Sequence, residues 1–75
     1  MITDGEKWKT IIKPFLKEKN FFYIDSKKSG RYLVLTYKKG DLLAIIEFFK
    51  GEVKIEFTEG ENRELYIEEL ELLLE

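Results

Sequence analysis

Proton transfer in this chain would fall to its carboxylates. Asp25, Asp41 and Glu47 could act as acids or bases, but a working pair needs surroundings that drive its two pKa values apart. Glu47 is matched instead with Lys54. The chain has no histidine and no cysteine, so the commonest general base and metal ligand is missing, along with any thiolate nucleophile. No phosphate-binding loop, nucleophile elbow or metal-ligand spacing occurs. These residues predict a protein that is not an enzyme, with no catalytic residue, metal, cofactor or small-molecule substrate.

The remaining chemistry is that of binding. Residues 1–39 hold ten Lys/Arg against four Asp/Glu, and residues 40–75 hold three against eleven. Such asymmetry points to a charged partner, or to two halves that neutralise one another. In the basic half, Lys9, Lys13 and Lys17 recur every four residues, and Lys27, Lys28 and Arg31 lie in "DSKKSGRY". With Phe21, Tyr23 and Tyr32 as stacking rings, this set suits single-stranded nucleic acid, in which bases stack and phosphates pair. The same residues also suit a solvated helix face beside core or dimer aromatics. In the acidic half, Glu64, Glu68 and Glu71, with Glu59, Glu61, Glu69 and Glu75, repel phosphate and attract basic protein surfaces. In composition this resembles the small acidic inhibitors of phages and viruses. The alternative is a solubilising helix face.

The elements that position these groups follow from periodicity. Thr3-x-x-Glu6 reads as a capping box opening a first helix. Trp8, Ile11, Ile12 and Phe15 form its apolar stripe, and Pro14 kinks or restarts it. "NFFYID" at 20–25 favours a strand, "SKKSG" at 26–30 a loop, and "RYLVLTYK", "DLLAIIEFFK" and "EVKIEF" three more strands. Lys39-Gly40 and Lys50-Gly51 are read as two-residue turns. That register sets Phe48 opposite Val53, Ile46 opposite Ile55 and Ala44 opposite Phe57. In the preceding hairpin it sets Tyr37 opposite Leu42, Leu35 opposite Ala44 and Lys38 opposite Asp41. Thr58-x-x-Glu61 opens a last helix striped by Tyr66, Ile67, Leu70, Leu73 and Leu74. The fold class is α+β: an antiparallel meander of three to four strands between an N-terminal and a C-terminal helix, in two layers over one domain, residues 1–75. The expected core is Leu33, Leu35, Ile46, Phe48, Ile55 and Phe57 with Trp8, Ile12, Tyr66 and Leu70.

The α-β-β-β-α part of this order is similar to the double-stranded RNA-binding fold in topology. That family holds phosphate with lysines at the start of its last helix. Here that helix opens with Glu61, Asn62, Arg63 and Glu64, so no residue role carries over.

The sheet face turned from the core holds Tyr32, Val34, Leu43, Ile45 and Phe49 by parity, with Phe21 and Tyr23 added if the first strand joins by a four-residue loop. Antiparallel sheets normally turn polar residues outward, so this face is expected to bind a protein partner or a second copy, or else to lie under a helix. A domain this small buries only about 60% of its unfolded surface, and self-association would stabilise it. The chain lacks an apolar run near the roughly 18 residues a membrane helix needs, and the start lacks a signal-peptide core. A cytoplasmic protein is expected, and no weight is placed on Leu74-Glu75, a pair that an expression tag could also supply. The functional expectation is a non-catalytic, homodimeric interaction module or regulator, with single-stranded nucleic-acid binding as the alternative.

Overall fold

The computed structural model describes residues 1–75. Five antiparallel strands form one sheet: β1 (Ile2–Asp4), β2 (Phe22–Ser29), β3 (Tyr32–Lys39), β4 (Leu42–Phe49) and β5 (Glu52–Phe57). Their order across the sheet is β1-β5-β4-β3-β2. A π-helical turn, Trp8–Ile12, runs into α1 (Lys13–Glu18), and α2 (Arg63–Leu74) closes the fold. The meander between two helices is as the sequence predicts, and β1 adds a fifth strand.

That strand replaces the expected start of the first helix. Thr3 pairs with Val53 rather than capping, and Gly5 donates its N–H to Gly51 O at 2.9 Å. The cap falls to Asp4, whose Oδ1 accepts the Glu6 N–H at 3.0 Å. Backbone pairing with β5 satisfies more donors than a capping box could. Pro14 then acts as read. It has no N–H and its ring crowds the carbonyl four residues back. The preceding turn widens to a π-helix in which the Lys13 N–H reaches Trp8 O, and α1 begins with Pro14 in its first turn.

The helix ends in a Schellman motif, with Asn20 at positive φ. The Asn20 N–H reaches Lys17 O at 3.1 Å and the Phe21 N–H reaches Leu16 O at 2.9 Å. Asn20 and Phe21 therefore belong to the helix stop, not to a strand. Ser26–Ser29, expected as loop, lies in β2, and the turn is Gly30-Arg31.

Register decides which residues share a face. Lys50 and Gly51 both have positive φ, the I′ pattern, and the β4–β5 pairs are those expected. At Gly40 only the glycine has positive φ, the II′ pattern, in which glycine stands first. The turn is therefore Gly40-Asp41, not Lys39-Gly40. The β3–β4 pairs shift by two residues: Tyr37 faces Ala44, Leu35 faces Ile46, and Lys38 faces Leu43 instead of Asp41. A shift of two preserves parity, so the faces stand as predicted.

Both helices lie on one face. Ile12, Phe15, Leu16, Phe21, Leu42, Ala44, Ile46, Val53, Ile55, Phe57, Tyr66 and Leu70 are buried together there. Trp8, Leu33, Leu35 and Phe48, expected in this core, are half-buried at its margin. Trp8 meets Phe48 and Tyr37 edge-on at 5.3 and 6.0 Å, while Phe21 packs on Tyr66 and Phe57 at 5.4 and 5.9 Å. Two polar links tie the layers. Lys39 Nζ donates to Lys19 O at 2.7 Å and lies 5.2 Å from the Tyr66 ring centre, and Lys19 pairs with Glu69 at 2.7 Å. Leu73 departs from the expected stripe and is exposed, whereas Leu74 packs at the core margin and its carbonyl accepts Lys7 Nζ at 2.9 Å. No helix is long and apolar enough to cross a membrane.

Ile46 is wholly enclosed at the centre of the sheet. Ile46→Ala should destabilise the fold by about 2–5 kcal/mol, measured by urea denaturation, because the cavity would sit between rigid strands. Ile45→Ala, on the other face, should cost clearly less.

Candidate interaction surface

The face opposite the helices is built by alternation. Tyr32, Val34, Thr36 and Lys38 from β3 lie beside Leu43, Ile45, Glu47 and Phe49 from β4, and these beside Glu52, Lys54 and Glu56 from β5. β1 contributes Ile2, opposite Lys54, and β2 contributes Phe22, Asp25 and Lys27. All five residues expected on this face, Tyr32, Val34, Leu43, Ile45 and Phe49, are there, and neither helix covers them. Val34, Leu43 and Ile45 are half-buried by their neighbours, while Phe49 is 43% exposed. Ile2 and Phe22 are more open still, at 69% and 68%.

One end of this face is organised around Tyr32. Its ring leans on Phe49, centres 5.6 Å apart, and its hydroxyl donates to Glu47 Oε2 at 2.8 Å. Lys50 Nζ lies 5.2 Å from the Phe49 ring centre. Glu47 and Lys54 stand directly opposite in the ladder, yet Lys54 bonds Glu56 at 3.2 Å and leaves Glu47 to the phenol. The matched pair expected from sequence is thus a neighbourhood rather than a bond. Ile2, Tyr32, Glu47, Phe49, Glu52 and Lys54 line a shallow depression of about 270 Å³, in which apolar and charged side chains are mixed. The hydrogen bond to Glu47 raises the Tyr32 pKa above that of a free phenol, with desolvation and the carboxylate's charge adding to it. Lys54 is raised by its bond to Glu56 and by that residue's charge. Thr58 extends the ladder instead of capping α2. Its N–H donates to Leu43 O, and its Oγ1 accepts the Leu43 N–H, both at 2.9 Å. α2 opens at Arg63, after an Asn62 at positive φ.

The basic and aromatic set does not assemble on one surface. Phe21 is buried in the core. Tyr23 stands on the helix side, edge-on to Tyr37 at 5.7 Å, while Tyr32 lies on the open face. Lys27 points with the open face, Lys28 with the helix side, and Arg31 sits in the turn. Lys9, Lys13 and Lys17 are exposed on the helix layer. Strand alternation separates Lys27 from Lys28, and a β-bulge between Tyr23 and Asp25 separates the exposed rings. Ile24 is the extra residue, so it moves Tyr23 to the helix side and Phe22 to the open face. Phe22 was missed for that reason, and Ile2 because β1 itself was.

Glu64, Glu68 and Glu71 are exposed along one flank of α2. Glu64 accepts from Arg63 at 2.8 Å, and Glu71 borders a groove of about 380 Å³ with Met1, Ile55, Phe57 and Ile67. Of the other candidate acids, Asp25 lies within β2 opposite Thr36 and Asp41 in the turn between β3 and β4, each exposed. No cluster of acidic residues able to hold a metal ion occurs. Compared with models of protein families, with curated proteins and with solved structures, the chain matches none.

The Tyr32–Glu47 bond needs the phenol protonated. A raised folded-state pKa contributes stability below the free-phenol pKa and loses it as pH rises through the folded value. Followed by NMR of the tyrosine ring carbons, Tyr32 should titrate above pH ~10, and Glu47→Gln should move that titration down.

Proposed function

We propose that this protein is a small, non-catalytic interaction module that works as a homodimer through its open sheet face. The observation that carries the reading is the placement of both helices on one side of the sheet. Tyr32, Val34, Leu43, Ile45 and Phe49 are left as an apolar row on the other side. An apolar strip on a sheet normally faces a second layer. The area available is sufficient. The molecule measures 33 × 27 × 18 Å, and the broad face of a two-layer body this thin is large enough for the roughly 800 Å² per partner that a stable interface buries.

A twofold axis through this face would set each apolar row against its own copy, as an isologous contact requires. Phe49 and Tyr32 would be the aromatic anchors. Glu47, Lys54 and Glu56 would guide alignment at the rim, where ion pairs add little affinity. Such a dimer turns α2 outward, with Glu64, Glu68 and Glu71 presented to solvent. An acidic flank of this kind suits a regulator that occupies a basic protein surface.

Sedimentation equilibrium across a wide concentration range tests the reading. Wild-type chains should associate. Ile45→Lys should abolish association through this face while leaving circular dichroism and thermal melting those of a folded monomer, since the core lies on the other side. A wild type that stays monomeric at millimolar concentration would sink the proposal.

A further inference from the structure

The sheet has one long free edge. β2 is the outermost strand, eight residues long, and every one of its residues is exposed. Its far edge carries unpaired N–H and C=O groups, the usual template for strand addition. Which groups point outward follows from the turn. Ser29 and Tyr32 close the two-residue Gly30-Arg31 turn, so their backbone groups bond each other inward. Alternation along the ladder then turns the backbone groups of Lys28 and Ser26 outward.

The charges on this strand have no partner within the chain. Asp25 and Lys27 point with the open face, opposite Thr36 and Val34, and take part in none of the ion pairs. We propose that β2 pairs antiparallel with β2 of a second copy, in the register centred on Ser26. There Ser26 meets the second copy's Ser26 on a twofold axis, as a hydrogen-bonded pair. Asp25 meets the second copy's Lys27, and Lys27 meets the second copy's Asp25. These flanking pairs are the non-hydrogen-bonded kind, in which side chains approach most closely. A slip of two residues either way sets Asp25 against Asp25 or Lys27 against Lys27, and a slip of one breaks the match of faces. The lysines and the bulge at Ile24 guard the edge against other strands, and only this register matches both charges that the straight part of β2 carries on the open face, while Lys28 lies on the helix side without a charged partner. The product is a ten-stranded sheet with all helices on one side. Its twofold runs through the sheet, so it is compatible with face-to-face packing of the open faces, and the two contacts together make a tetramer. In that respect the inference builds on the reading above, but it stands on different residues.

The chain has no cysteine, so single introduced thiols report contacts between copies alone. Ser26→Cys places two thiols opposite on the axis, within the Cα spacing that a disulfide spans, whereas Ser29→Cys holds them several residues apart. Under one mild oxidant Ser26→Cys should form covalent dimers much faster than Ser29→Cys. Charge exchange is the second arm. Asp25→Lys alone and Lys27→Glu alone should each weaken edge pairing about tenfold, from two cross-strand pairs turned repulsive. An equimolar mixture of the two variants should restore pairing, since every Lys then meets a carboxylate. Equal cross-linking at both positions, or a mixture that associates no better than its components, would overturn the register. Both arms are repeated in the Ile45→Lys background. Edge pairing that survives there, or a face dimer that persists without it, shows which of the two contacts has failed.

Discussion

A two-residue turn leaves no freedom in the register of the strands it joins, and this chain uses three in succession. Gly30, Gly40 and the Lys50-Gly51 pair each take positive φ where L-residues are strained, and Lys50 accepts about 1 kcal/mol of that strain itself. Once the turns are set, parity assigns every side chain from Tyr32 to Phe57 to one face or the other. The buried cluster around Ile46 and the open row around Ile45 are two readings of the same arithmetic. Adding or removing one residue in the Gly40-Asp41 turn would reverse β4 and β5 against β3, setting Glu47 and Lys54 on the face of Leu35. Core packing and surface chemistry are therefore not independent properties of this protein.

The helical layer is fitted to that sheet by local devices. The Schellman stop at Asn20 delivers Phe21 into the core against Phe57 and Tyr66. Lys39 reaches across from β3 to bond the last turn of α1 and to lie near the Tyr66 ring, and Lys19 joins that turn to Glu69 of α2. The two helices thus meet over one end of the meander, where most of the buried aromatic rings lie. β2, beyond them, is left uncovered on both sides. The basic residues of the chain's first half are scattered along this uncovered strand and over the helix layer, and the acidic ones line β5 and α2. The charge asymmetry along the chain becomes an asymmetry between surfaces rather than a single patch.

Much of this was legible in the sequence where the determinants are local. Lys50-Gly51 announced the β4–β5 register, and the stripes around Ile12 and Leu70 announced the buried helix faces. The open row was legible because parity needs only the turn lengths. The β3–β4 register was misread by two residues because a lone glycine does not say whether it stands first or second in its turn. Faces survived that error, since two is even. The bulge at Ile24 did not forgive the same kind of error. One unpaired residue reversed Tyr23 and Phe22, and nothing in "NFFYID" marks it. β1 was illegible for another reason. Ile2, Thr3 and Asp4 spell a helix cap locally, and only the distant strand Glu52–Lys54 overrules it.

That last pairing has a temporal side. Synthesis runs from residue 2 toward residue 54, at about 5–20 residues per second. For several seconds β1 has no strand to join, while the first two hairpins, which close in microseconds, can already have formed. The first segment made is thus the last edge of the sheet to be filled. Until it docks, the outer edge of β5 stands open beside Ile55, and the nascent molecule carries two free strand edges rather than one. A cell making this protein therefore meets its greatest exposure to misassociation during the interval in which Ile2 waits for Lys54.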